Sequence, residues 1–183
     1  MNANPLIAQL TKYAAYHRDP RNITTHFFGV PMIVFAVTVL LARPGFVLGG
    51  IALSPVWFVL VAAAVFYFRL DLRFGLLMTA LLSLSAWGAT QVAAQSTAIW
   101  LGTGIGMFVV GWVIQFIGHY YEGKKPAFVD DLVGLLVGPL FVAAEVGFAL
   151  GMRHDVKAAI EQNVGPVRHR TGPLAATSAS LSK

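Results

Sequence analysis

The sequence predicts an all-α, polytopic membrane helix bundle of four spans plus a re-entrant or interfacial helical hairpin. Three observations predict it. Of 183 residues, 57% are apolar and only 11% are charged, less than half the charged fraction of an ordinary soluble domain. Between His26 and Gly118 the only formal charges are Arg43, Arg69, Asp71 and Arg73, too few to give soluble helices their polar faces. Several apolar runs are long enough to cross about 30 Å of hydrocarbon. The length allows one membrane-embedded domain, placed at 1–160, with a tail at 161–183.

Residues 1–24 are too polar for a signal peptide, so the first span acts as its own uncleaved anchor. A short helix carrying His17 ends at Asp19-Pro20. The spans follow at about 26–42, 51–68, 74–95 and 98–118. Arg43-Pro44-Gly45 separates the first two, the segment from Arg69 to Arg73 the next two, and Gln95-Ser96-Thr97 the last two. A fifth apolar stretch, 132–150, holds Gly134, Gly138, Pro139, Glu145 and Gly147, which suit a simple lipid-facing helix poorly. Lys12, Arg18 and Arg21, then Arg69 and Arg73, then Lys124 and Lys125 alternate with loops that carry Arg43 alone or nothing. That pattern puts the N-terminus in the cytoplasm. A single crossing at 132–150 would carry the basic tail to the opposite side, so a hairpin bent near Gly138-Pro139 is favoured over a fifth span. From about Glu161 the tail has Gly, Pro, Ser and basic residues without periodicity and reads as disordered. Gly102-x-x-x-Gly106 and Gly134-x-x-x-Gly138 are candidate helix-packing surfaces, and homo-oligomerisation stays open. An integral, multi-pass protein is expected, in the inner membrane if the chain is bacterial.

The absence of cysteine removes disulfides, Cys-ligated zinc, iron–sulfur clusters and thiol catalysis. A net charge of +5 sits at chain ends and short loops, as membrane orientation requires, so no nucleic-acid partner is expected. No phosphate loop, nucleophile elbow or dinucleotide fingerprint is present. Gly102-x-Gly104-x-Gly106 lies inside an apolar span with no preceding strand.

His17, His26 and His119 all fall at span ends on one side of the membrane. Pro20 breaks the helix between the first two, so their rings can converge from separate elements. His119 and Glu122 share a helix face at i, i+3, a spacing that presents two metal ligands side by side. Glu145 is a carboxylate inside an apolar stretch, where it is costly unless paired, protonated or metal-bound. Imidazole with carboxylate suits iron, zinc or manganese. The bland reading is interfacial hydrogen-bonded anchoring, and it is the better one for His154 and His169. Tyr13, Tyr16, Tyr120 and Tyr121 read as interfacial aromatics, with orientation of His17 or His119 as a secondary role. Asp130 and Asp131 read as caps of the fifth segment.

The block from Tyr16-His17 through Asp19-Pro20 and Asn22 to Thr25-His26, Gly29 and Pro31, together with Trp112-x-x-Gln115-Phe116-x-Gly118-His119-x-x-Glu122 and Pro126-Ala127, resembles the 2-hydroxy fatty acid dioxygenase family. Gly138-Pro139 with Phe141 and Glu145 extends the resemblance, which covers about 10–150. These are small multi-pass proteins first understood in phytosphingosine breakdown, with bacterial relatives. The resemblance implies Fe(II)-dependent α-oxidation, in which a 2-hydroxy fatty acid and O2 give a fatty acid one carbon shorter. It places the metal-binding histidines on His17, His26 and His119, and matches Glu122 and Glu145 to acidic positions. Glu122 is then a fourth ligand or an orienting group, and both glutamates are candidate catalytic residues. The second block ends Asp130-Asp131 where relatives tend to have Asp-Asn. A membrane-embedded acyl chain with its head group at a metal-bearing rim fits an amphiphilic substrate in the bilayer. Two rivals are a zinc-dependent lipid amidase or esterase, with Glu122 activating a bound water, and a non-catalytic membrane protein. Di-iron hydroxylases need more histidines than are well placed here, and haem would need two histidines facing each other within the spans.

Overall fold

The computed structural model describes residues 4–43, 45–126 and 133–168. Seven helices and one small hairpin make up the described chain: α1 (Pro5–Ala14), α2 (Pro20–Ala42), β1 (Phe46–Leu48), β2 (Ile51–Leu53), α3 (Pro55–Leu70), α4 (Leu72–Ala93), α5 (Thr97–Glu122), α6 (Gly134–Ala149) and α7 (His154–Val164). Three of these, α2, α4 and α5, are long and apolar enough to cross a membrane. The apolar α3 has 16 residues, about 24 Å at the helical rise. Helices α6 and α7 meet at a bend of 114° and would make a fourth crossing only as a pair.

Local chemistry sets the helix starts. Asn4, Asp19, Asp71 and Ser96 each accept a hydrogen bond from a first-turn N–H of α1, α2, α4 and α5, which satisfies donors that the helix itself leaves open. Proline stands at the first helical position of α1, α2 and α3, where its missing N–H costs nothing.

Helices α2 and α5 run antiparallel along a seam of glycines at seven-residue spacing. Gly104 faces Leu40, Gly111 faces Ile33 and Gly29, and Gly118 faces Thr25 and Asn22. A Cβ at Gly111 would sit 2.7 Å from the Ile33 side chain and 3.1 Å from the Gly29 carbonyl oxygen. Backbones approach this closely only where side chains are absent. The seam brings the start of α2 against the end of α5, and hence His26 against His119. The expected Gly102-x-x-x-Gly106 surface is not this seam: both glycines face open space. Their phase on a helix that is apolar all round was not readable from composition.

Three further expectations are corrected. The second span does not begin at 51: β2 takes Ile51–Leu53, pairing antiparallel with β1 across Gly49-Gly50, whose φ values of 59° and 83° suit a two-residue hairpin loop. The bend expected at Gly138-Pro139 falls instead between α6 and α7. Pro139 lies early in α6, where it removes only the hydrogen bond to Leu135, and the helix continues. The true stop is a left-handed Gly151, with Met152 N–H donating to the Gly147 carbonyl at 2.8 Å and Gly151 N–H to Phe148 at 3.1 Å, a Schellman closure. Ordered helix also continues past Glu161 to Val164, because Val156 and Ile160 of α7 are buried against the bundle. The remainder of the expected tail, 169–183, and Asp130 and Asp131 lie outside the described residues.

The core that positions the histidine end is formed by Leu6, Leu10 and Tyr13 of α1 packed with Leu140, Phe141 and Ala144 of α6 and with Val156 and Ile160 of α7. Large apolar side chains such as Phe58, Leu84, Trp87 and Phe116 cover the outer surface, the face a bilayer would solvate.

Candidate metal centre

His17 does not ride on the preceding helix. Helix α1 ends at Ala14, and a tight turn follows in which the His17 N–H donates to the Ala14 carbonyl at 3.0 Å. Asp19 and Pro20 then start α2, and His26 comes on its second turn. Two elements therefore aim two rings at one point. His17 Nδ1–H donates to the Tyr13 carbonyl at 2.7 Å, and His26 Nδ1–H to the Asn22 carbonyl at 2.8 Å. A carbonyl only accepts, so both Nδ1 atoms carry the proton and both Nε2 atoms carry lone pairs in the neutral rings. Those two Nε2 atoms stand 2.9 Å apart. His119 completes the group, its ring centroid 5.0 Å from that of His17 and 5.3 Å from that of His26. One ligand nitrogen from each of the three lies within 4.8 Å of the others. All three are buried, and His119 Nδ1 has no hydrogen-bond partner.

The surroundings suit a cation bound by neutral imidazoles. Burial, and then the charge His26 would carry, hold His17 well below the usual imidazole range. Tyr13 stacks on His17 at 4.2 Å with its plane 5° away, and Phe141 packs against both rings, 5.4 Å from His17 and 5.1 Å from Tyr13. Burial also raises the Tyr13 hydroxyl above its ordinary value, so it stays protonated. Two nitrogens bound to one metal at right angles, each about 2.1 Å from it, are about 3 Å apart, and the His17–His26 spacing of 2.9 Å matches this. The donor set fits a divalent transition metal.

Glu122 stands beside this group rather than in it. Its Oε2 accepts from the backbone N–H of Arg18 at 2.9 Å and of Asp19 at 2.7 Å, and from the Asn22 carboxamide at 3.2 Å. Its Oε1 lies 3.4 Å from the Arg168 guanidinium. The carboxylate thus clamps the turn that presents His17. Gly123 ends α5 directly after it in a left-handed conformation, its N–H donating to the His119 carbonyl at 3.0 Å. Glu145 is likewise not among the imidazoles. It faces Arg18 at 4.0 Å, in a cavity of about 130 Å³ shared with Lys157 and Glu161. The basic partner that the apolar stretch lacked comes from another element.

Arg18 is the residue that sequence reasoning passed over. Its guanidinium donates to the carbonyls of Ala14, His17 and Gly165, and its own carbonyl accepts from Arg168 N–H at 2.8 Å. It ties the His17 turn to α6 and to the segment after α7. Asp19 is held down to about 2, chiefly by its paired hydrogen bonds from Arg21. Gln115, quoted in the sequence only as part of a motif, is buried one turn before His119 with neither end of its carboxamide paired.

A cavity of about 60 Å³ opens beside His26 and His119, lined also by Trp112, Gln115, Gly138 and Pro139. Ile33, Val34, Trp112, Leu135 and Pro139 also wall a second, apolar cavity of about 320 Å³ between α2, α3, α4, α5 and α6. Along α2 its lining extends to Leu41, about 22 Å beyond His26 at the helical rise.

Fold and site together define a membrane-type helix bundle with a buried three-imidazole pocket at one rim, beside an apolar cavity with which it shares walls. The family model described as "2-hydroxy-palmitic acid dioxygenase Mpo1-like" matches residues 3–150, and the chain belongs to that family. It is 34% identical over 161 residues to 2-hydroxy-palmitic acid dioxygenase MPO1 of Saccharomyces cerevisiae, covering 87% of this chain and 89% of that relative. No solved structure matches the chain.

Proposed function

We propose that this protein is an Fe(II)-dependent dioxygenase that shortens 2-hydroxy fatty acids by one carbon. The balanced reaction takes R–CH(OH)–COOH and O2 to R–COOH, CO2 and water. The bond broken joins C1 to C2: C1 leaves as CO2, and C2 stays on the chain as the new carboxyl carbon. The relative's name supplies the substrate class and the use of O2. The observation that carries the metal is the pair of Nε2 atoms facing each other at 2.9 Å, an arrangement that a shared cation would relieve.

His17, His26 and His119 are the residues assigned to hold the metal. Iron(II) supplies the electron-transfer chemistry that O2 requires and that no side chain here offers. Each Nδ1–H···O=C bond fixes one ring's tautomer and its direction. Glu122 is assigned as a positioning residue because its Oε2 accepts from the His17 turn, while its buried Oε1 stands 3.4 Å from the Arg168 guanidinium without a hydrogen bond. Glu145 is assigned to the Arg18 anchor rather than to catalysis. The apolar cavity takes the acyl chain, so that the head group lies at the imidazoles while the chain stays among the helices. Water is kept out by the same apolar walls.

The test is anaerobic purification in detergent, metal analysis, and oxygen uptake with a long-chain 2-hydroxy acid. One iron per chain and oxygen consumption matched to chain shortening are expected. Alanine at His17, His26 or His119 should lower metal content at least about tenfold, as loss of one ligand from a small site does. An iron-loaded protein that neither consumes oxygen nor shortens any 2-hydroxy acid would sink the proposal, and ester or amide hydrolysis by a zinc-loaded form would replace it.

A further inference from the structure

Gln115 lines the small cavity beside His26 and His119. It stands four residues before His119, on the same face of α5. It is 4% exposed, and neither its Nε2 nor its Oε1 has a hydrogen-bond partner. A buried carboxamide left unpaired at both ends is destabilising, and native folds retain such groups where a ligand or an ordered water completes them. The opposing helix is shaped to admit it. At Gly29 a Cβ would lie 2.7 Å from Gln115 Nε2, so glycine there leaves the space that the carboxamide fills. Gln115 thus sits where the imidazole pocket meets the apolar walls shared with the larger cavity.

We propose that Gln115 is the specificity-determining residue for the 2-hydroxyl group, an inference that rests on the reaction proposed above. Its Oε1 accepts from the substrate's 2-hydroxyl, and its Nε2–H donates to the neighbouring carboxylate. An unsubstituted fatty acid satisfies only the donor and leaves Oε1 buried and unpaired. Sites built to bond a hydroxyl reject analogues that lack it for this reason. The aliphatic side chains of the lining, Val30, Ile33, Val34 and Leu135, offer no comparable discrimination, since they carry no hydrogen-bonding group.

The experiment measures equilibrium binding of 2-hydroxyhexadecanoic acid and of hexadecanoic acid to the anaerobic, full-length, iron-loaded protein, by displacement of a fluorescent fatty acid. It is run on wild type and on Gln115→Met, which keeps length and removes both hydrogen-bonding groups. Metal content and KM are measured on the same samples. The wild type should prefer the hydroxylated acid, and Gln115→Met should reduce that preference about tenfold and raise KM for it, with metal content unchanged. If Gln115→Met does not fold, Gln115→Asn, whose shorter amide draws back from the ligand, carries the same comparison. An unchanged preference in a variant of an active enzyme overturns this inference alone. So does loss of metal in the variant, which would make Gln115 a support for the imidazoles. A wild type that prefers the hydroxylated acid and loses that preference in the variant, yet shortens no acid, supports the role of Gln115 and overturns the reaction. A wild type with no preference overturns both.

Discussion

At the scale of single residues, Glu122 carries the most structural weight for its size. One oxygen accepts from two consecutive buried backbone N–H groups, at Arg18 and Asp19, and from Asn22. The two backbone donors lie in the turn between α1 and α2, where no helical partner exists for them. Replacing Glu122 with alanine leaves them buried and unpaired, at a cost of about 3 kcal/mol. Glu122→Gln keeps one acceptor oxygen and should cost about 1 kcal/mol. Thermal unfolding in detergent should rank wild type, Gln and Ala in that order, and metal content should follow the same order because His17 hangs on this turn. Loss of metal in Glu122→Ala at unchanged stability would instead make the carboxylate a ligand. The i, i+3 spacing from His119 made Glu122 visible in the sequence as a chemical residue. It could not reveal that the partners lie 104 and 103 residues away. The histidines were legible because an imidazole is conspicuous at the end of an apolar span. Gln115 was not, because one amide inside a membrane helix reads as filler until its two unpaired ends and the cavity before it are seen.

At the scale of elements, the α2–α5 seam sets the geometry of the pocket. A Cβ at Gly118 would collide with Thr25 Oγ1, directly between the levels of His26 and His119. Gly118→Ala should therefore push the two helices apart at the pocket. Overpacking of this kind costs about 1–3 kcal/mol, more than the gain of about 1 kcal/mol in helix propensity. Metal content and thermal stability should both fall. Gly106→Ala, which meets nothing within 4 Å, should leave metal content unaltered and stability equal or slightly higher. Equal effects at the two sites would show that the seam does not position the imidazoles. The apolar helices were legible because apolarity marks them. The phase of α5 was not, since a helix apolar on every side has no face to read, and the stop after α6 depends on a left-handed Gly151 rather than on the more conspicuous Pro139. The same helices wall the apolar cavity, where Leu60 of α3 lines the part remote from the histidines. Leu60→Trp should narrow that end and move the preferred 2-hydroxy acid to a shorter chain, read as a shift in relative kcat/KM across a chain-length series. An unchanged series would place the acyl chain elsewhere, such as the larger cavity of about 610 Å³ between α2, α4 and α6.

At the scale of the whole molecule, one end of the bundle carries both the imidazoles and nearly all the charge. Arg18 binds the α1–α2 turn to Glu145 and Gly165. Arg153, at the α6–α7 bend, makes two contacts of 3.2 Å with Asp71 between α3 and α4. Burial alone would raise the Asp71 carboxyl, but the Phe74 N–H and Arg153 outweigh it and hold it below the usual range. These links fasten α6 and α7 to the same rim as the histidines. At the opposite rim Arg43, packed over Trp100 at 4.9 Å, is the only formal charge between His26 and Arg69. Positively charged loops stay in the cytoplasm, so the rim that carries the imidazoles should face inward. The chain has no cysteine of its own, so any introduced thiol reports a single position. Gln95→Cys, exposed in the turn between α4 and α5, and Gln162→Cys, exposed on α7, mark the two rims. In intact cells a membrane-impermeant maleimide should label position 95 at once and position 162 only after lysis. The reverse pattern would put the imidazoles on the outer face, and labelling of both before lysis, or of neither, would show that the two turns lie on the same side of the membrane.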